Sequence, residues 1–131
     1  MDIFIFEAAE KYLGIETAYI YHIVDDIQIT PVPLAPSCYR GLIYFRGDLF
    51  DIIDAGSLMG GERSLLNGNP YTILLKWGQR KLGLISDKII GITCVEDNNG
   101  SRTVFTKEGR TVELITPEEI WKILSELPYG P

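Results

Sequence analysis

Apolar residues fall in short runs of four to eight, rich in Ile, Val, Tyr and Phe, and the runs are separated by Gly, Pro, Asn and Asp. Runs of this length and composition predict strands. Ten are expected, at 3–6, 12–15, 19–24, 42–46, 49–54, 71–77, 81–86, 89–95, 103–105 and 111–115. No long helix separates them, and parallel crossovers need a dozen or more residues, so the fold class is all-β, a sandwich or barrel arrangement. Ile3-Phe4-Ile5-Phe6 and Ile73-Leu74-Leu75 are apolar at every position, where a half-exposed antiparallel strand alternates. Such strands are covered on both faces. Two small barrels packed together would cover them and would also remove free strand edges.

Turn chemistry supports the pattern. Arg46-Gly47-Asp48 and Lys107-Glu108-Gly109-Arg110 read as tight hairpins, and Asn67-Gly68-Asn69-Pro70 as a loop end. The stretch 55–70 holds four glycines and separates two strand-rich halves, so it is the expected junction between two subdomains of one domain, 1–131. One helix is signalled at the C-terminal end. Thr116 stands at the N-cap, Pro117 at the first helical position and Glu119 at the third, the spacing of a capping box. Ile120, Trp121, Ile123, Leu124 and Leu127 form an apolar stripe that Pro128 ends.

Composition narrows the function. With 131 residues the chain has the size of one domain, and 46% hydrophobic with 23% charged residues supply a core without metals or disulfides. Lys+Arg 12 against Asp+Glu 18 gives −6, the wrong sign for a protein that grips phosphate backbones, so no nucleic acid partner is expected. Two cysteines, Cys38 and Cys94, and one histidine are too few for a structural zinc site and read as reduced thiols of a cytoplasmic protein. Asp2, Glu7 and Glu10 interrupt the start of the chain, against a secretory signal, and no window approaches the ~20 apolar residues of a membrane span. No direct membrane insertion is expected.

Catalytic constellations are weak. His22 lies near Asp25 and Asp26, but residues 22 and 25 point to opposite faces of a strand and no flanked nucleophile accompanies them. A Cys38–His22 dyad carries no local signature of a depressed thiol pKa. Asp48, Asp51 and Asp54 recur every third residue, so on a strand Asp51 faces away from the other two and no hard-cation site follows. Neither G-x-G-x-x-G nor the P-loop pattern occurs, and Asn99-Gly100-Ser101 is ordinary loop composition. No enzyme, cofactor or metal is expected. The residues taken alone describe a small acidic interaction module.

The segment from Pro31 to Asp54, with Pro31-Val32-Pro33, then Gly41-Leu42-Ile43-Tyr44-Phe45-Arg46-Gly47 and then Ile52-Ile53-Asp54, resembles the signature of the CheW-like family of chemotaxis coupling proteins. In that family a Pro-rich loop leads to Gly-Val-x-Asn-Leu-Arg-Gly and a strand ending Pro-Val-x-Asp-Leu. The similarity continues through Leu13-Gly14-Ile15, Trp77 to Ile89 and Val112 to Leu124. It implies two intertwined five-stranded SH3-like barrels sharing a core, with a C-terminal helix. It also implies a non-catalytic scaffold between the cytoplasmic tip of methyl-accepting chemoreceptors and the regulatory domain of a CheA-type histidine kinase. In the family the receptor uses the groove between the barrels, and another barrel surface docks on the kinase.

Carried over residue by residue, the partner-binding candidates are Arg46, Gly41, Gly47, Ile20, His22 and Asp54. Arg46 leads, with a second reading in which its fork of donors ties the hairpin carbonyls together. Tyr44 stands where the family has Asn, Asp51 where it has Pro, and His22 replaces an acidic residue. Only 96–102 precedes the final hairpin, where family members carry a longer segment. The alternatives are a divergent CheW-like module of another signalling pathway, a small barrel stacking single-stranded nucleic acid on Tyr and Trp, and a hydrolase built on His22 and Cys38.

Overall fold

The computed structural model describes residues 1–25, 28–33, 38–58, 71–95 and 104–126. Ten strands form where the apolar runs predict them: β1 Asp2–Ala8, β2 Lys11–Glu16, β3 Ile20–Val24, β4 Tyr39–Phe45, β5 Asp48–Asp54, β6 Tyr71–Trp77, β7 Arg80–Ser86, β8 Lys88–Cys94, β9 Val104–Lys107 and β10 Arg110–Leu114. A four-residue helix, α1 Ala55–Leu58, follows β5, and α2 Pro117–Glu126 follows β10. Asp26, Leu127, Pro128, the segments 59–70 and 96–103, and with them the loop signal at 67–70, the glycosylation triplet and the shortened segment, lie outside the described residues. Among the described residues no helix is long and apolar enough to cross a membrane.

The strands make two five-stranded sheets, β8-β1-β2-β10-β9 and β3-β6-β7-β5-β4. Their pairing is the same strand for strand. Each has a central antiparallel hairpin (β1–β2, β6–β7), one parallel contact (β10–β2, β5–β7) and antiparallel outer partners. The second sheet uses five consecutive strands, whereas the first is closed by its last three strands returning to the first two. The chain therefore changes sheets at the 3-10 turn Thr17–Tyr19 and again at Asp87. Asp87 fixes the second crossing: its N–H donates to the Glu7 carbonyl, and its carboxylate accepts from the Ala9 N–H at 2.8 Å. This corrects the expected junction at 55–70. The strands flanking that stretch, β5 and β6, both belong to the second sheet, because glycine content marks a loop but not which strands the loop joins.

Strand alternation divides the apolar residues into three clusters. Ile3, Ile5 and Val112 fill the first barrel, and Ile43, Phe50, Ile52, Leu74 and Ile85 fill the second. The alternate positions, Phe4, Phe6, Leu13 and Ile15 of one sheet and Ile53, Ile73, Leu75, Leu82 and Leu84 of the other, meet in a cluster shared by both. Double burial of β1 and β6 is thus explained, because one face of each strand lines its own barrel and the other lines the seam. Each such side chain contributes about 1.5–3 kcal/mol on removal from water.

Gly14 and Gly83 occupy equivalent places inside the two barrels. A Cβ on Gly83 would lie 2.5 Å from Ile52 Cδ1, and one on Gly14 2.7 Å from Ile3 Cγ2. The capping residue of α2 is the expected one, with the Glu119 N–H donating to Thr116 Oγ1 at 3.1 Å. Ile120 enters the shared cluster and Leu124 packs against it, so the helix covers the seam.

Two substitutions check this packing. Gly83→Ala overfills the second barrel and lowers the urea midpoint by the equivalent of about 1–3 kcal/mol. Thr116→Ala removes the cap and costs about 0.5–2 kcal/mol in the same measurement.

Candidate functional site

The signature residues converge on the β4–β5 hairpin. Its two central residues, Arg46 and Gly47, have φ of 49° and 88°, the positive values that a two-residue hairpin turn matching strand twist requires. Glycine takes this conformation without penalty, whereas an L-residue such as Arg46 pays about 1–2 kcal/mol there. Local strain is thereby held at an exposed tip. The Arg46 guanidinium lies over the Phe45 ring, 5.1 Å from its centroid. Among the described residues it makes no hydrogen bond to the hairpin carbonyls, which sets aside the tying role.

Rings carry the hairpin into the barrel. Phe45 is 5.1 Å from the His22 imidazole and meets Tyr21 edge-on at 6.3 Å. Tyr21 stacks on buried Phe50 at 6.0 Å and 18°. The end of the second barrel is closed over this stack by charge. Asp48 accepts from Lys76 Nζ at 2.8 Å and Lys81 Nζ at 2.9 Å, and Lys76 Nζ also lies 3.9 Å from the Tyr21 ring centroid. The two ammonium groups hold the Asp48 carboxyl below its ordinary value, and Asp48 in turn raises Lys76. On the outer face, Tyr44 and Leu49 stand directly opposite each other, 72% and 58% exposed. The exposed Tyr44–Leu49 pair, on the hairpin that carries Arg46 at its tip, has the make-up of a polypeptide-docking surface.

Arg46, Gly47 and His22 are brought together here through Phe45. The other candidates are not. Ile20 is half-buried against the shared cluster. Gly41 is buried where residues 28–33 cross β4: Thr30 and Leu42 exchange backbone hydrogen bonds at 2.9 and 2.8 Å, and a Cβ on Gly41 would lie 2.1 Å from the Thr30 carbonyl oxygen. Asp54 is fully buried; it accepts from the Ser57 N–H at the start of α1 and pairs with Arg40 at 3.8 Å. Gly41 and Asp54 therefore support the hairpin and do not face a partner, a correction to their expected role. A short signature records contact and support residues alike.

Neither catalytic alternative assembles. Cys38 belongs to the shared core, and burial above all, with the Asp54 charge adding, pushes its thiol pKa up against the opposing effect of its own backbone N–H. A protonated buried thiol is no nucleophile. Asp48, Asp51 and Asp54 point to three different partners, Lys76 with Lys81, Tyr39 and Ser57 with Arg40. Among the described residues no group of three His, Cys, Asp or Glu side chains is placed to hold a metal. Sequence reading missed the Tyr44–Leu49 pair and the Lys76–Asp48–Lys81 bridge. The signal for the bridge is Lys76 and Lys81 lying at equal distances from the Gly78-Gln79 turn, which pairs them across β6–β7.

Two measurements follow. Because the folded Asp48 pKa is lowered, its ion pairs stabilise the protein fully above the ordinary value of 3.8 and lose that effect as pH falls through the lower folded value. The urea midpoint of wild type should exceed that of Asp48→Asn at neutral pH, and the gap should close in acid. With iodoacetamide at neutral pH, the exposed Cys94 should alkylate while Cys38 reacts only after unfolding, giving one modified thiol in the folded chain.

Comparison with known proteins places this geometry. The family described as the CheW-like domain matches residues 2–122. No curated protein matches the sequence significantly. Among solved structures, the scaffolding protein TtCheW from Thermoanaerobacter tengcongensis superposes with a TM-score of 0.75 at 21% identity, covering 86% of each chain, which establishes the fold of two SH3-like barrels. Two like-paired sheets around one core, the hairpin signature and the match over residues 2–122 lead to one conclusion: the chain belongs to the CheW-like domain family, whose members are non-catalytic scaffolds and adaptors of chemotaxis signalling.

Proposed function

We propose that the protein is a cytoplasmic adaptor coupling the tip of methyl-accepting chemoreceptors to the regulatory domain of a CheA-type histidine kinase. The observation that carries this reading is the exposed Tyr44–Leu49 pair beside Arg46, on the hairpin that bears the family signature. Aromatic and Arg side chains supply most of the binding energy at protein interfaces, and their energy is realised where a partner excludes water. Arg46 is pre-positioned for that role, because its guanidinium rests on Phe45 and its backbone is held by the turn. Gly47 provides the turn, His22 adjoins the site from β3 through Phe45, Ile20 anchors that strand against the shared core, and Gly41 and Asp54 fix the hairpin from behind. Tyr44 in place of the family's Asn and His22 in place of an acidic residue favour a second reading, a module tuned to a different receptor or kinase pathway.

Co-sedimentation with a chemoreceptor cytoplasmic fragment and the kinase tests the reading. Wild type should form a ternary complex and change kinase autophosphorylation. Arg46→Ala and Tyr44→Ala should each weaken the complex about tenfold, a loss of about 1.4 kcal/mol, while leaving the urea midpoint nearly unchanged. Absence of any complex, with unaltered autophosphorylation, would sink the chemoreceptor reading and leave the divergent pathway.

A further inference from the structure

Because the two sheets share one pairing scheme, every position in one barrel has a counterpart in the other. Aligning Gly83 with Gly14 sets Leu74 against Ile5 and Phe50 against Val112. The outer strands β3 and β8 each carry an irregularity at the same step, Ile20/His22 opposite Leu75/Leu74 and Ile89/Gly91 opposite Phe6/Ile5. The residue inside it is Tyr21 in the second barrel and Ile90 in the first, and the residue after it is His22 or Gly91.

The rings that plug the end of the second barrel, Tyr21, His22 and Phe50, are thus replaced in the first barrel by Ile90, Gly91 and Val112. Each replacement is smaller, and all three lose a ring. The structure shows the result. A cavity of about 240 Å³ opens into the first barrel, lined by Ile5, Tyr12, Ile90, Gly91 and Val112, with Arg110 at the mouth. A Cβ added to Gly91 would meet nothing within 4 Å. The Arg110 guanidinium lies over Tyr12, 5.0 Å from the ring centroid, so the wall of the cavity is itself held in place. An engineered apolar cavity of about 150 Å³ is known to admit benzene, so this volume accommodates a single substituted ring.

We propose that this cavity is a binding site for one aromatic ring, entering where the second barrel places the rings of Tyr21 and Phe50. The ring is apolar on the side facing Ile5 and Val112 and tolerates a polar substituent at the mouth, where Arg110 and Glu108 lie. The site is on the barrel opposite the signature hairpin, and it stands whether or not the chemoreceptor reading does.

The test is an amide NMR titration of the full chain with two probes, p-cresol as a free ring and N-acetylphenylalanine amide as a ring carried on a backbone. Saturable shifts centred on Ile5, Gly91 and Val112, with Kd on the order of 1 mM, are expected. Preference for p-cresol identifies a small aromatic molecule as occupant; preference for the amino-acid amide identifies a polypeptide side chain. Rebuilding the plug with Val112→Phe, or with Ile90→Tyr should the first variant not fold, should weaken the binding at least tenfold. Two results would overturn the proposal: no saturable shift from either probe up to about ten times that concentration, or unchanged binding in a folded plug variant.

Discussion

The apolar seam between the two sheets is the constraint on which the molecule depends. Phe4, Phe6, Leu13 and Ile15 on one side and Ile53, Ile73, Leu75, Leu82 and Leu84 on the other remove each other from water. Neither sheet can bury these side chains alone, because each has already turned its other face inward around its own cluster. A barrel with so small an interior is marginal by itself, and the seam supplies the missing buried area. Residue 115 and α2 extend it through Ile115 and Ile120. The crossings at 17–19 and Asp87 follow from the same constraint, since they let one chain run through both sheets while keeping them in contact.

A repeated scaffold leaves the ends of the barrels free to differ. In the second barrel the interior is filled by Phe50 and its stacked neighbours, and the end is sealed by a carboxylate between two lysines. In the first, the positions equivalent to those rings hold Ile, Gly and Val, and space is left. Close packing makes such exchanges consequential, because an interior at crystal density converts a lost ring directly into volume. One end therefore presents a rigid, charged and aromatic surface and the other an opening, though both rest on the same ladder of hydrogen bonds.

Rigidity at the signature hairpin has an energetic meaning for recognition. A left-handed conformation at Arg46 opposes folding locally, and it persists because the strands on both sides fix the turn. The side chain is then launched from a defined point and backed by a ring, so less conformational freedom is lost when a partner closes over it. Gly41 and Asp54 contribute from beneath, one by allowing residues 28–33 to approach β4 and the other by anchoring α1 and Arg40.

Much of this was legible in the residues alone. Short β-branched runs set the strands, two-sided hydrophobicity announced that β1 and β6 are covered on both faces, and Thr116-Pro117-x-Glu119 marked the start of α2, because these are local properties of backbone sterics and solvation. The motif around Arg46 located the hairpin for the same reason. Pairing between distant segments decided the rest. Glycine content pointed to a junction at 55–70, but only the return of β8, β9 and β10 to β1 and β2 shows where the chain changes sheets. Asp54 and Arg46 look alike as polar members of one signature; tertiary burial separates the residue that holds the hairpin from the one that faces solvent. The equivalence of Tyr21 with Ile90 and Phe50 with Val112 is likewise invisible along the chain, since it is defined by cross-strand register and not by sequence spacing.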